Sequence, residues 1–200
     1  DRLALRWAIG KRLQNGEVTR ESRAMWATDV ASIHEPAIHP RVTNKKGLGG
    51  VTFKEGIFDN DLDDLGISAA TVNLFLNQLF QPNAKETIIH TFQGKQYTYN
   101  AAPIRQWDRL LRKLSQRNIV VSAILLVGGQ PKYASPLMHP DARASAHYTM
   151  VNLTTRESTD SYRALIAFLA ERYGSPDKKH GLITNWIIFN EVDYGWVWTN

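Results

Sequence analysis

The stretch Thr184-Asn185-Trp186-Ile187-Ile188-Phe189-Asn190-Glu191 decides how this chain is read. Its first six residues are largely β-branched, aromatic and apolar, the composition of a parallel strand buried on both faces. Such a strand has little reason to finish on an amide and a carboxylate unless both project into a polar site at its C-terminal end. In parallel α/β folds that end is where ligands bind and chemistry takes place. Tyr194, Trp196 and Trp198 crowd the next positions. Aromatic faces beside a carboxylate suit a cleft that holds sugar rings.

Three earlier segments repeat the alternation of strand and helix. Gly47 to Phe53 reads as a short first strand, followed by an acidic helix from Asp59 to Leu65 with Gly66 at its stop. Ala69 to Asn77 is the second strand, and Ile104 to Gln116 an amphipathic helix with Ile104, Trp107, Leu110, Leu111 and Leu114 on one face. Ile119 to Val127 is the third strand, and Thr155 to Tyr173 the third helix, stopped by Gly174. Two connections are long, Gln78 to Pro103 and Gln130 to Leu153, and long loops in compact domains usually carry function. The first holds a hairpin signal, Thr87 to Phe92 and Gln96 to Tyr99 around Gln93-Gly94-Lys95, expected to form one wall of a cleft on the catalytic face.

Before residue 47 the pattern changes. Residues Arg2 to Ile9 alternate loosely and Asn15-Gly16 is a type I′ turn signal, so residues 1–34 read as the end of a β-rich region. Residues 35–46, with two prolines and few apolar side chains, read as a linker, and 47–200 as the main domain. Gly47-Leu48-Gly49-Gly50 does not fit the dinucleotide fingerprint, because its spacing is wrong and no long helix follows at once.

Composition excludes several function classes. The absence of cysteine removes disulfides, thiolate metal sites and cysteine nucleophiles. No apolar run reaches the roughly 18 residues of a membrane span. A net charge of +5 invites a polyanion reading, but the basic residues are scattered, with Arg105, Arg109, Arg112, Lys113 and Arg117 along one helix. No basic block is interleaved with stacking aromatics, so a solvated helix face accounts for them and no nucleic-acid or membrane partner is expected.

The Asn190-Glu191 ending, the Lys45-Lys46-Gly47-Leu48 opening and the strand Asn73-Leu74-Phe75-Leu76-Asn77 after an acidic helix together resemble the clan A glycoside hydrolases. The match is closest to a bacterial group of barrel domains of poorly defined activity related to that clan, and covers about Lys45 to Asn200. It implies an α/β fold: the first four βα units of a (β/α)8 barrel. It also implies a retaining glycoside hydrolase acting on a poly- or oligosaccharide, with Glu191 as general acid/base. Asn190 would hydrogen-bond the sugar's 2-hydroxyl, or else simply form a turn. The opposing nucleophile, a carboxylate at a later strand, would lie beyond this chain. The partner implied is therefore a C-terminal half-barrel, either the chain's own continuation or a second copy. The setting implied is bacterial, secreted or periplasmic, with the targeting signal not among these residues.

Other positions complete the candidate site. Tyr194 and Trp196 are possible stacking platforms, with Trp198 a weaker one. Asn77 ends the second strand, and His139 and His147 lie in the long loop after the third; each is a substrate contact or a plain loop residue. None of the six histidines forms the i,i+4 pair of a helical zinc site, so no metal or other cofactor is expected. Glu55 and Asp193 are poorly placed for the nucleophile. A noncatalytic carbohydrate-binding or structural barrel protein is the alternative, and a basic polyanion-binding module the third reading.

Overall fold

The computed structural model describes residues 6–25, 40–51, 58–81, 83–129, 135–143, 145–191 and 195–199. The chain divides into two compact units, Asp1–Ile38 and His39–Asn200. In the first, strands β1 (Gly10–Arg12) and β2 (Val18–Arg20) pair antiparallel. The turn between them is closed by the Gly16 N–H on the Leu13 carbonyl. Only Gly16 is left-handed there, and Asn15 caps the Glu17 N–H instead of adopting the positive φ of a type I′ turn.

The second unit is built on parallel strands β3 (Gly47–Val51), β4 (Ala69–Phe75), β7 (Val120–Gly128) and β9 (Asn185–Ile187), hydrogen-bonded in that order. Helices α1 (Phe58–Leu65), α2 (Ala101–Gln116) and α3 (Arg156–Tyr173) fall between successive strands. Alternate residues of β4 and β7 point one way: Ala70, Val72 and Leu74, with Val121, Ala123 and Leu125, are buried in one core. That core is completed by Leu62 of α1, Ile104, Leu111 and Leu114 of α2, and Leu165, Phe168 and Leu169 of α3. The other face of β4, at Ala69, Thr71, Asn73 and Phe75, is only half-buried.

The expected four consecutive βα units of a (β/α)8 barrel are not what forms. Among the described residues there are three helices longer than one turn, the sheets are mixed, and the fold is richer in β structure. A 3-10 turn (Leu76–Phe80) and an antiparallel hairpin, β5 (Thr87–Phe92) with β6 (Lys95–Asn100), stand between β4 and its helix. A further strand, β8 (Tyr148–Thr149), lies antiparallel on the end of β7. Among the described residues, three-residue β9 is followed by a single helical turn, α4 (Gly195–Trp198). Asn185 is exposed and Trp186 and Ile187 half-buried, so the final apolar run is not the doubly buried strand its composition suggests.

The hairpin also lies elsewhere than expected. Gln93 and Gly94 both have positive φ, the type I′ turn that matches the twist of paired strands. Its residues meet the C-terminal half of α3: Tyr99 packs on Phe168, ring centroids 5.0 Å apart, and His90 Nε2 lies 3.1 Å from Glu171 Oε2. Because α3 leads back to the start of β9, the hairpin covers the helical layer and forms no wall beside Glu191.

Local signals set the helix ends. Asn100 accepts the Ala102 N–H, and Thr155 accepts the Ser158 N–H, each satisfying a backbone donor that a first turn leaves free. Pro103 sits in the first turn of α2, where its missing N–H costs nothing. The two long helices are joined through Asp108, whose side chain is 7% exposed. It accepts hydrogen bonds from Arg172 Nε and Nη2 at 2.9 and 2.6 Å, and from the Tyr173 hydroxyl at 2.9 Å. Burial alone would raise the Asp108 pKa, but the Arg172 and Tyr173 hydrogen bonds outweigh it and hold the carboxyl below its ordinary value.

A depressed folded-state pKa stabilises the fold above the unfolded carboxyl's value and loses that contribution as pH falls through the folded value. Asp108→Asn should therefore flatten the acid limb of the stability curve below about pH 4. It should also cost about 3–5 kcal/mol near neutrality by leaving Arg172 unpaired. Urea denaturation from pH 2 to 7 checks both, and an unchanged acid limb would contradict the assignment.

Candidate active site

The residues that follow β9 are held by a contact that the apolar pattern of α3 conceals. Tyr162 lies on the buried face of that helix, and its hydroxyl donates to the Ile188 carbonyl at 3.1 Å. Burial pushes the Tyr162 pKa up to about 12, so the phenol stays protonated and keeps donating at any physiological pH. Its ring also contacts that of Phe189, centroids 6.1 Å apart. The chain is thus taken out of the sheet directly after Ile187, with Phe189 exposed and Asn190 half-buried.

Glu191 comes next, exposed and with φ of +47°. A non-glycine residue in that region is uncommon and costs on the order of 1–2 kcal/mol. Strain of this kind persists where the surroundings impose it and collects at functional sites. The conformation turns Glu191 out of line with β9.

A second segment closes over the same end of the sheet. β8 caps β7 through Val127–Thr149 and Gly128–Tyr148 pairing, and the Tyr148 ring stacks on Phe75 of β4, 6.2 Å between centroids at 18°. α4 is strapped to β8 by Thr199, whose hydroxyl lies 3.0 Å from that of Thr149 and accepts the Met150 N–H at 2.9 Å. Between β7, β8 and the residues after β9 runs a crevice touching Tyr148, Met150, Ile188, Phe189 and Asn190. Its volume is about 20 Å³, less than a sugar ring needs, so a ligand here would lie across the surface.

The remaining candidates are dispersed. Asn77 is 1% exposed; the chain turns at Leu76, and the Asn77 side-chain oxygen accepts the Gly128 N–H at 3.0 Å, tying β4 to the end of β7. Its Nδ2 is buried without a hydrogen-bond partner. Asn77 is therefore a brace beneath the site, not a surface contact. His139 accepts the Asp141 N–H on its Nδ1 at 3.2 Å, which closes a local turn. His147 is exposed beside Tyr148, and its carbonyl accepts the Gly129 N–H at 3.1 Å. Tyr194, Asp193 and Glu55 lie outside the described residues, as do the side chains of Trp196 and Trp198.

Among the described residues no group of three or more His, Asp or Glu side chains is arranged to hold a metal, and no helix is long and apolar enough to cross a membrane. Tyr162, Phe75 and Thr199 are the contributors that sequence reasoning did not single out for the site. Phe75 had a usable signal: alternation along β4 puts it on the face opposite the core.

A strained carboxylate makes a direct prediction. Glu191→Gly should relieve the left-handed cost and, after the extra chain entropy glycine brings, raise stability by about 0.5–1 kcal/mol. A structural cap or ion pair at Glu191 would give the opposite sign in the same denaturation experiment.

The model of a family of unknown function (DUF5722) matches residues 39–200, and the chain belongs to that family. No curated protein and no solved structure matches it.

Proposed function

We propose that this member of the DUF5722 family supplies the acid/base half of a retaining glycoside hydrolase site. Glu191 is the general acid/base and Asn190 the partner of the sugar's 2-hydroxyl. The observation that supports the reading most is the setting of Glu191: an accessible carboxylate just beyond a parallel strand, in a strained backbone conformation, beside exposed aromatic surface at Phe189. The resemblance of the Asn-Glu ending to clan A enzymes supplies the chemistry.

In the first step, Glu191 would give its proton to the glycosidic oxygen as that C–O bond breaks and an opposing carboxylate bonds to the anomeric carbon. In the second, the ionised Glu191 would take a proton from water as the water displaces that carboxylate. Retention requires the two carboxyl groups to stand about 5–5.5 Å apart. Among the described residues no other carboxylate stands at the C-terminal end of a parallel strand, so the nucleophile is assigned to residues outside them.

The exposure of Glu191 and the smallness of the adjoining crevice favour a second reading, a noncatalytic carbohydrate-binding protein. Kinetics separate the two. In the full-length protein, Glu191→Gln should slow hydrolysis of an ordinary glycan by several orders of magnitude, and slow aryl glycosides with good leaving groups much less in the glycosylation step. Equal turnover by Glu191→Gln and wild type would rule out the acid/base role. Sugar binding without hydrolysis by wild type would establish the second reading.

A further inference from the structure

Phe189 stands directly before Asn190 and Glu191 and is 40% exposed. Among the described side chains of His39–Asn200, every other Phe, Tyr and Trp ring is buried or half-buried. A phenyl ring gains free energy by leaving water, so an exposed one runs against the trend of the whole unit. Nor is this ring loose. The Tyr162 hydroxyl holds the Ile188 carbonyl one residue earlier, and the Tyr162 ring packs on that of Phe189 with the planes at 41°. The rest of the phenyl surface faces solvent.

Phe189 also lines the crevice between β7, β8 and the residues after β9, together with Tyr148, Met150, Ile188 and Asn190. At about 20 Å³ the crevice is shallow, so a ligand rests with one face on the ring and the other in water. Charge is what the crevice lacks. The chain carries a net charge of +5, yet among the described residues that line the crevice none is Lys, Arg or His. The charged side chain next along the chain is the exposed carboxylate of Glu191.

These features select among ligands. The face of a phenyl ring is electron-rich and attracts polarised C–H bonds. A gluco- or xylo-configured pyranose carries its substituents equatorially and offers such bonds on both faces, while its hydroxyls can pair with the Asn190 amide. A uronate or sulfate would be set beside the like charge of Glu191 with no cation to offset it.

We infer that Phe189 is the sugar platform of the site proposed at Glu191, and that it selects neutral glycans with gluco- or xylo-configured units over acidic ones. This selection rests on the reading of that place as a sugar site.

The test titrates fluorescently labelled cello-, xylo- and galacturono-oligosaccharides with the full-length protein and follows anisotropy. Titrations are run at low salt and at about 0.5 M sodium chloride, where exposed charges are screened. At least one neutral oligosaccharide should bind saturably at both salt concentrations. Phe189→Leu keeps the apolar packing on Tyr162 but not the planar face, and should weaken that binding about tenfold. Phe189→Trp should retain it. Neutral binding that Phe189→Leu keeps in full would overturn the platform, and salt-resistant preference for the galacturono-oligosaccharide would overturn the selection. Absence of neutral binding would overturn both. Cleavage shows separately, as a decay of anisotropy with time. Neutral oligosaccharides bound through Phe189 but never cleaved establish the platform and remove the acid/base role of Glu191. Ones cleaved equally by Phe189→Leu and wild type remove the platform alone.

Discussion

The register between β4 and β7 is the constraint from which the rest follows. Seven consecutive pairs, from Ala69–Val120 to Phe75–Leu126, run in parallel without a shift. Side chains alternate across a sheet, so a slip of β4 by one residue against β7 would turn Val72 and Leu74 away from the helices and bring Thr71 and Asn73 into the core beside Ala123 and Leu125. The two strands could then no longer bury their apolar sets in one core. The same register carries Phe75 to the half-buried face, where it meets Tyr148, and brings Gly128 within reach of the Asn77 side chain. One pairing therefore sets the core and the floor of the candidate site together.

The helices answer to that sheet through few polar contacts, placed where burial makes them count. Asp108 joins α2 to α3 through Arg172 and Tyr173, and Ser115 joins α2 to the loop before β9. Tyr162 reaches from α3 to the chain just past β9. Each ties a helix to a neighbouring segment at a defined point, which apolar packing alone does weakly. Through Tyr162 the position of α3 determines where the peptide bearing Asn190 and Glu191 leaves the sheet. The strained φ of Glu191 is consistent with a backbone held from behind.

Much of this was legible in the residues. The apolar stretches of β4 and β7, the helical spacing of Ile104, Trp107, Leu111 and Leu114, and Gln93-Gly94 in the hairpin carry their meaning locally, since propensity, periodicity and turn chemistry agree there. What misled was tertiary. The run from Trp186 to Phe189 looks like a doubly buried strand, but among the described residues only β7 pairs with it and Tyr162 draws Ile188 away, so the strand stops after three residues. The hairpin was recognisable, yet which layer it covers depends on Tyr99 and His90 meeting Phe168 and Glu171, 69 and 81 residues later. Asn77 read as a strand end open to a ligand because nothing local announces the 3-10 turn that buries it. The barrel expectation failed for the same reason: alternating elements are visible in sequence, while β8, the hairpin and the brevity of β9 are set by pairing partners far along the chain.

On the proposed function, Glu191 moves the proton in glycoside cleavage. The most direct measurement is product analysis of Glu191→Ala in the full-length protein, turning over an aryl glycoside in the presence of azide. With the acid/base carboxylate gone, the glycosyl–enzyme intermediate still forms from a good leaving group but waits for a nucleophile that needs no general base. Azide is then expected to accelerate turnover and to yield a glycosyl azide with the anomeric configuration of the substrate. A Glu191→Ala enzyme that hydrolyses the glycoside at the wild-type rate and forms no glycosyl azide would contradict it.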